Sequence, residues 1–118
     1  MTLAVVELAS LPPDGMPIAP TAGRPCGCDV CLAADDWPLI ARVAVEYLEQ
    51  GGDPRDHEAI DAAVRRAGLD PGERAGWHVG DLFDLPIEVD GCGEWVNGRH
   101  RTHALRMAGA ARTVTCVD

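Results

Sequence analysis

The chain has 118 residues, of which 47% are hydrophobic, and a formal net charge of −9. That is enough chain for one domain with a real core, no apolar run is long enough to cross a membrane, and the acidic balance argues against broad nucleic-acid binding, which needs a basic surface. All ten basic residues are arginines, so Schiff-base chemistry, a phosphate-loop lysine and a lysine general base are excluded together.

The elements follow in chain order. Residues 3–9 read as a short strand. From residue 11 to about 34, Pro12, Pro13, Gly15, Pro17, Pro20, Gly23 and Pro25 break any regular element, and this loop runs into Cys26, Cys28 and Cys31. A helix is expected over residues 36–50. Asp36 caps it, Pro38 sits in its first turn, and Leu39, Ile40, Val43, Tyr47 and Leu48 form an apolar face. Gly51 and Gly52 end it. A second helix is expected over residues 54–67, with Asp53 as cap, Ile60 and Val64 facing inward, and Gly68 as stop. A short helix is placed at residues 72–77.

Residues 85–90 read as a strand, Gly91, Cys92 and Gly93 as a hairpin turn, and residues 94–97 as the return strand. A helix over residues 98–108 closes at Gly109, and residues 113–117 form a last strand. The expected fold class is α/β, a small mixed β-sheet with packed helices, and residues 1–118 form a single domain. The N-terminus lacks the charged and apolar regions of a secretory signal, which makes the cytoplasm the expected compartment.

The stretch Asn97, Gly98, Arg99, His100, Arg101, Thr102, His103 carries the most chemistry. A helix start favours acidic side chains, because its N–H groups are unpaired and the macrodipole is positive there. Here Arg99, His100 and Arg101 occupy that turn. Residues 94–118 hold four arginines against Glu94 and Asp118, a local charge of +2 that leaves −11 for the remainder. A small cationic site on an acidic body fits a small phosphorylated ligand better than a polymer. Gly98 allows close approach, backbone N–H groups supply donors, and the guanidiniums supply charge. Asn97 is the expected cap.

The sequence of residues 84–118 resembles the ParB/sulfiredoxin-like superfamily. The likeness rests on Gly98, His100 and Arg101 after a hairpin, then Ala104, Ala108, Gly109, Thr113 and Val114; Val5, Val6, Glu7 and Leu8 weakly resemble the family's opening strand. ParB-type domains carry G-E-R-R-x-x-A, sulfiredoxins G-C-H-R, and the related free-serine kinases D-G-H-H-R. The resemblance implies a nucleotide, ATP or CTP with Mg²⁺, bound by its phosphates at Asn97, Gly98, Arg99, His100 and Arg101. It also implies that any turnover is phosphoryl transfer or nucleotide hydrolysis. Arg99 stands where sulfiredoxins have their nucleophilic Cys and ParB proteins their Glu, and Asn97 stands where the serine kinases have Asp. The phosphate-binding frame carries over; the attached chemistry does not.

Cys26, Cys28 and Cys31 place three thiols within six residues, with the spacing of a zinc knuckle in Cys28-x-x-Cys31. A structural Zn²⁺ there needs one more ligand, with Cys92, Cys116, His57, His78 and His103 as candidates. Cys116 also reads as simple core. Asp35, Asp36, Asp53 and Asp56 read as helix caps. Asp81, Asp84, Glu88, Asp90 and Glu94 lie nearer the motif and are candidates for holding Mg²⁺, although a solvated hairpin face accounts for them as well. Trp37, Trp77 and Trp95 read as core or interface anchors.

Two other functional classes stay open. One is a non-catalytic protein-interaction module stabilised by zinc, with a protein as its partner. The other is a DNA-associated ParB-like protein, a nuclease or partition-related, for which the acidic chain predicts weak binding.

Overall fold

A computed structural model of the chain describes residues 2–13 and 35–117. The Cys-rich part of the long loop, with Cys26, Cys28 and Cys31, lies outside the described residues, and so does the expected zinc knuckle.

Strand β1 (Leu3–Glu7) pairs antiparallel with β4 (Arg112–Cys116), with Val5 opposite Val114. Strand β4 runs parallel to β2 (Ile87–Val89), and β2 pairs antiparallel with β3 (Trp95–Asn97). The resulting mixed sheet has four strands in the order β1-β4-β2-β3. A parallel pair cannot be joined by a hairpin and needs a crossover. Here the crossover from the β2–β3 hairpin to β4 is helix α4 (Arg99–Met107). That topology sets the start of α4 directly behind the hairpin.

Helix α1 (Trp37–Glu49) is the centre of the core. Asp36 caps it by accepting from the Leu39 N–H at 3.2 Å, and Pro38 occupies the first turn. Ile40, Val43 and Tyr47 are buried as the periodicity requires, but so are Trp37, Ala41, Ala44 and Val45. A helix buried on so wide a face has neighbours on several sides, and α1 packs against α2, α3, α4, β1 and β4. The chain leaves it through Gly51 at φ 84°. The Tyr47 hydroxyl then donates to the Asp53 carbonyl at 2.7 Å.

Helix α2 (His57–Arg66) starts three residues later than expected. Asp53 is not its cap: its carboxylate accepts from Arg55 N–H at 2.9 Å, and its carbonyl accepts from Asp56 N–H. That local turn consumes residues 53–56, and Asp56 caps the helix through Ala59 N–H. Helix α3 (Arg74–Asp84) is longer than the expected short helix. Its Gly76 and Gly80 weaken the helical signal in the sequence, whereas burial of Val79, Leu82 and Phe83 sustains the helix. Gly76 is required by packing, because a Cβ there would come within 2.2 Å of the Asp70 carbonyl oxygen.

The first strand ends at Glu7 rather than at residue 9. Leu8 turns inward to 2% exposure and opens a 3-10 turn, Leu8–Ser10, so its side chain joins the core at the cost of strand pairing. Strands β2 and β3 are likewise shorter than expected, because residues 90–94 form the turn between them. Among the described residues no helix is long and apolar enough to cross a membrane.

Candidate functional site

The hairpin turn is built by one side chain. The Asp90 carboxylate accepts from Cys92 N–H at 2.8 Å and Glu94 N–H at 2.9 Å, and Gly93 takes φ 82°. Asp90 is thereby committed to the turn rather than to a cation. The return strand β3 delivers the chain to Gly98, which is the N-cap of α4 at φ 89°. Only glycine adopts that left-handed conformation at no steric cost. Asn97 is therefore not the cap. Its side-chain amide points back across the hairpin toward the Leu85 and Pro86 carbonyls, 3.4 Å from each. The Gly98 carbonyl accepts from both Thr102 N–H and Thr102 Oγ1 at 2.9 Å, which fixes the first turn.

A hollow of about 470 Å³ opens at this point, lined by residues 95–101. Its volume falls in the range of small-molecule sites. The first turn of α4 contains no acidic residue, and its N-cap, Gly98, offers no side chain to its N–H groups. Arg99, His100 and Arg101 are all half-buried along it.

These cations have different duties. The Arg101 guanidinium reaches the far end of α3, donating to the Asp81 carbonyl at 3.3 Å and, by a very short contact, to the Leu85 carbonyl. The Asp81 carbonyl already accepts from Leu85 N–H, so Arg101 adds a second donor there and ties the Leu85 carbonyl, just past the end of α3, to α4. Arg106 behaves alike, donating to the Leu8 and Leu11 carbonyls at 2.9 Å each. Arg101 is thus an anchor that positions the hollow, a duty that motif reading does not distinguish from phosphate contact. Arg99 makes no hydrogen bond or ion pair with any described residue, which leaves its charge at the rim.

The nearby acids are dispersed. Asp84 Oδ1 lies 3.1 Å from His57 Nε2. Cys92 is exposed at the hairpin tip, while Cys116 is buried in β4 as a core residue. Among the described residues, no three His, Cys, Asp or Glu side chains come together as a metal site.

The structure also shows a cluster whose members the sequence does not link. Asp35 is not a helix cap. Its carboxylate, 9% exposed, lies 2.9 Å from His78 Nε2 and 3.1 Å from Arg74 Nε. The His78 ring sits 4.6 Å from the Trp37 indole at a 38° tilt. Burial lowers the His78 pKa below its ordinary value, against the opposing pull of Asp35. A neutral imidazole donating from Nε2 satisfies that carboxylate. Residues 35 and 78 are 43 positions apart, beyond any local sequence rule.

Comparison with protein-family models, with curated proteins and with solved structures found no match to this chain.

Proposed function

We propose that this chain is a ParB/sulfiredoxin-like domain that binds the phosphate group of a nucleotide, or of another small phosphorylated ligand, at the start of α4. The observation that carries this reading is the hollow itself: it lies at an acid-free helix start, entered through a left-handed glycine, with Arg99 on its rim. Helix N–H groups and the macrodipole favour an anion there. Gly98 lets the ligand approach the backbone, Arg99 supplies the diffuse positive charge, and His100 supplies a ring N–H. Asn97 and Arg101 hold the hollow open by tying its floor to the end of α3. Turnover of a nucleotide at this site would be phosphoryl transfer or hydrolysis, reactions that depend mainly on positioning and charge stabilisation. Mg²⁺ would then be carried in with the triphosphate, since the described carboxylates form no ready cage for it.

The test is a thermal-shift series with ATP, CTP and inorganic phosphate, each with and without Mg²⁺. A ligand at about a hundred times its Kd adds about 2.7 kcal/mol to the folded state, a shift of several degrees for a domain of this size. Arg99→Glu should remove that shift while leaving the ligand-free melting temperature in place. A wild-type melting temperature that ignores every phosphate compound overturns the reading.

A further inference from the structure

A second concave surface lies between α2 and α3. It encloses about 290 Å³, with Ile60 and Asp61 on one wall, Trp77, Asp81 and Asp84 on the other, and Pro71 at its end. Where arginines line the α4 hollow, aspartates line this one.

Trp77 is 58% exposed, the indole left in water, whereas Trp37 is fully buried and the half-buried Trp95 donates from Nε1 to the Pro13 carbonyl. Exposed indoles are typical of binding surfaces, where they supply much of the energy. The residue that would flank the indole three positions along the helix is Gly80. Gly80 has ordinary helical backbone, and a Cβ on it would meet nothing within 4 Å. Glycine is among the poorest residues for a helix interior, so packing gives no reason for it here, in contrast to Gly76. Its consequence is that no side chain flanks the indole at the i+3 position.

The groove is lined mainly by acids, and Arg74, one turn before Trp77, is held by Asp35. Among the described residues, Asp61, Asp81 and Asp84 line the groove with His57, which faces Asp84, and no described arginine lines it. An aromatic face ringed by carboxylates is a receptor for an organic cation. A guanidinium suits it better than an ammonium, because it is flat, weakly hydrated, stacks on indole and forks onto carboxylates.

We propose that the α2–α3 groove docks a basic segment of a protein partner by taking an arginine side chain onto Trp77, paired with the carboxylates of Asp61 and Asp84. The choice of occupant rests on charge complementarity. The groove is acidic within a chain of net charge −9, so a cationic segment is drawn to it and a second copy of this chain is repelled.

The experiment titrates the full chain into a fluorescein-labelled peptide of alternating Arg and Gly near physiological salt, followed by anisotropy. Matched Lys-Gly and Glu-Gly peptides run in parallel. Saturable binding is expected for the Arg peptide, weaker binding for Lys, and none for Glu. Trp77→Ala leaves the net charge unchanged and should weaken binding by about fivefold or more. Gly80→Leu, which fills the groove and keeps the indole, should weaken it similarly and serves as the second probe should Trp77→Ala unfold. Asp61→Asn should weaken binding more than Glu7→Gln, which removes the same charge from β1. Absence of saturable binding overturns the proposal. So does wild-type affinity in folded Trp77→Ala or Gly80→Leu, or equal losses from Asp61→Asn and Glu7→Gln, since attraction would then be to net charge alone.

Discussion

Gly98 packs directly on Ile87: a Cβ at residue 98 would come within 2.6 Å of Ile87 Cγ1 and 2.9 Å of Ile87 Cα. The second of those contacts is to backbone, so no rotamer change relieves it. Ile87 is itself fully buried in β2. One glycine therefore sets both the conformation that starts α4 and the distance between that helix and the sheet.

Gly98→Ala should be costly for two independent reasons. A left-handed conformation costs a residue with a Cβ about 1–2 kcal/mol, and overpacking against a fixed neighbour adds about 1–3 kcal/mol. Urea denaturation should show the loss as a lower midpoint. Gly80→Ala, at a helical site with nothing within 4 Å, should instead hold or gain stability, by up to about 1 kcal/mol.

Arg101 and Arg99 stand two residues apart and should separate in experiment. Arg101→Ala removes one donor from each of the Asp81 and Leu85 carbonyls, which keep Leu85 N–H and the Asn97 amide respectively, and should cost about 1 kcal/mol. Arg99→Ala touches no described partner and should lie within about 0.5 kcal/mol of wild type, with its effect confined to phosphate-dependent stabilisation. Denaturation of both variants, with and without ATP, checks the division. Equal stability losses would contradict the anchoring role of Arg101.

His78 predicts a pH dependence with a definite sign. Its folded pKa lies below the ordinary value of 6.5, chiefly through burial. Below about pH 6.5 the unfolded chain therefore takes up the proton more readily than the folded one, and stability falls as pH falls. His78→Gln, which keeps an N–H for Asp35 but does not titrate, should flatten the fall between pH 7 and pH 5, measured by chemical denaturation at each pH. An unchanged slope would remove His78 as its source.

Much of the secondary structure was legible in the chain because the rules that govern it are local. The face containing Ile40, Val43 and Tyr47, the Asp36 cap, and the positive-φ glycines Gly51, Gly68 and Gly109 delimit helices through interactions spanning a turn or two. The same is true of the β2–β3 hairpin and of the helix that begins after Gly98. Helix α3 is longer than its sequence pattern predicts because Gly76 and Gly80 mask its periodicity, and Gly76 has its reason in the Asp70 carbonyl pressed against it. Asp53 does not cap α2, because two aspartates three residues apart compete for one helix start. The winner is decided by the turn between them, which leaves Asp56 as the cap.

The amino-acid order by itself determined where a helix begins behind a hairpin, that three cationic side chains occupy its first turn, and that the rest of the chain is acidic. Only the tertiary structure decided which cations also anchor distant backbone carbonyls. Arg101 and Arg106 spend their guanidiniums on carbonyls 16 and about a hundred residues away, the latter 98 and 95 positions back. Every residue carries a carbonyl, so no pattern of side chains announces which of them an arginine will reach. That choice falls to which helix ends packing brings against α4, just as the pairing of Asp35 with His78 waits on α1 and α3 being brought side by side.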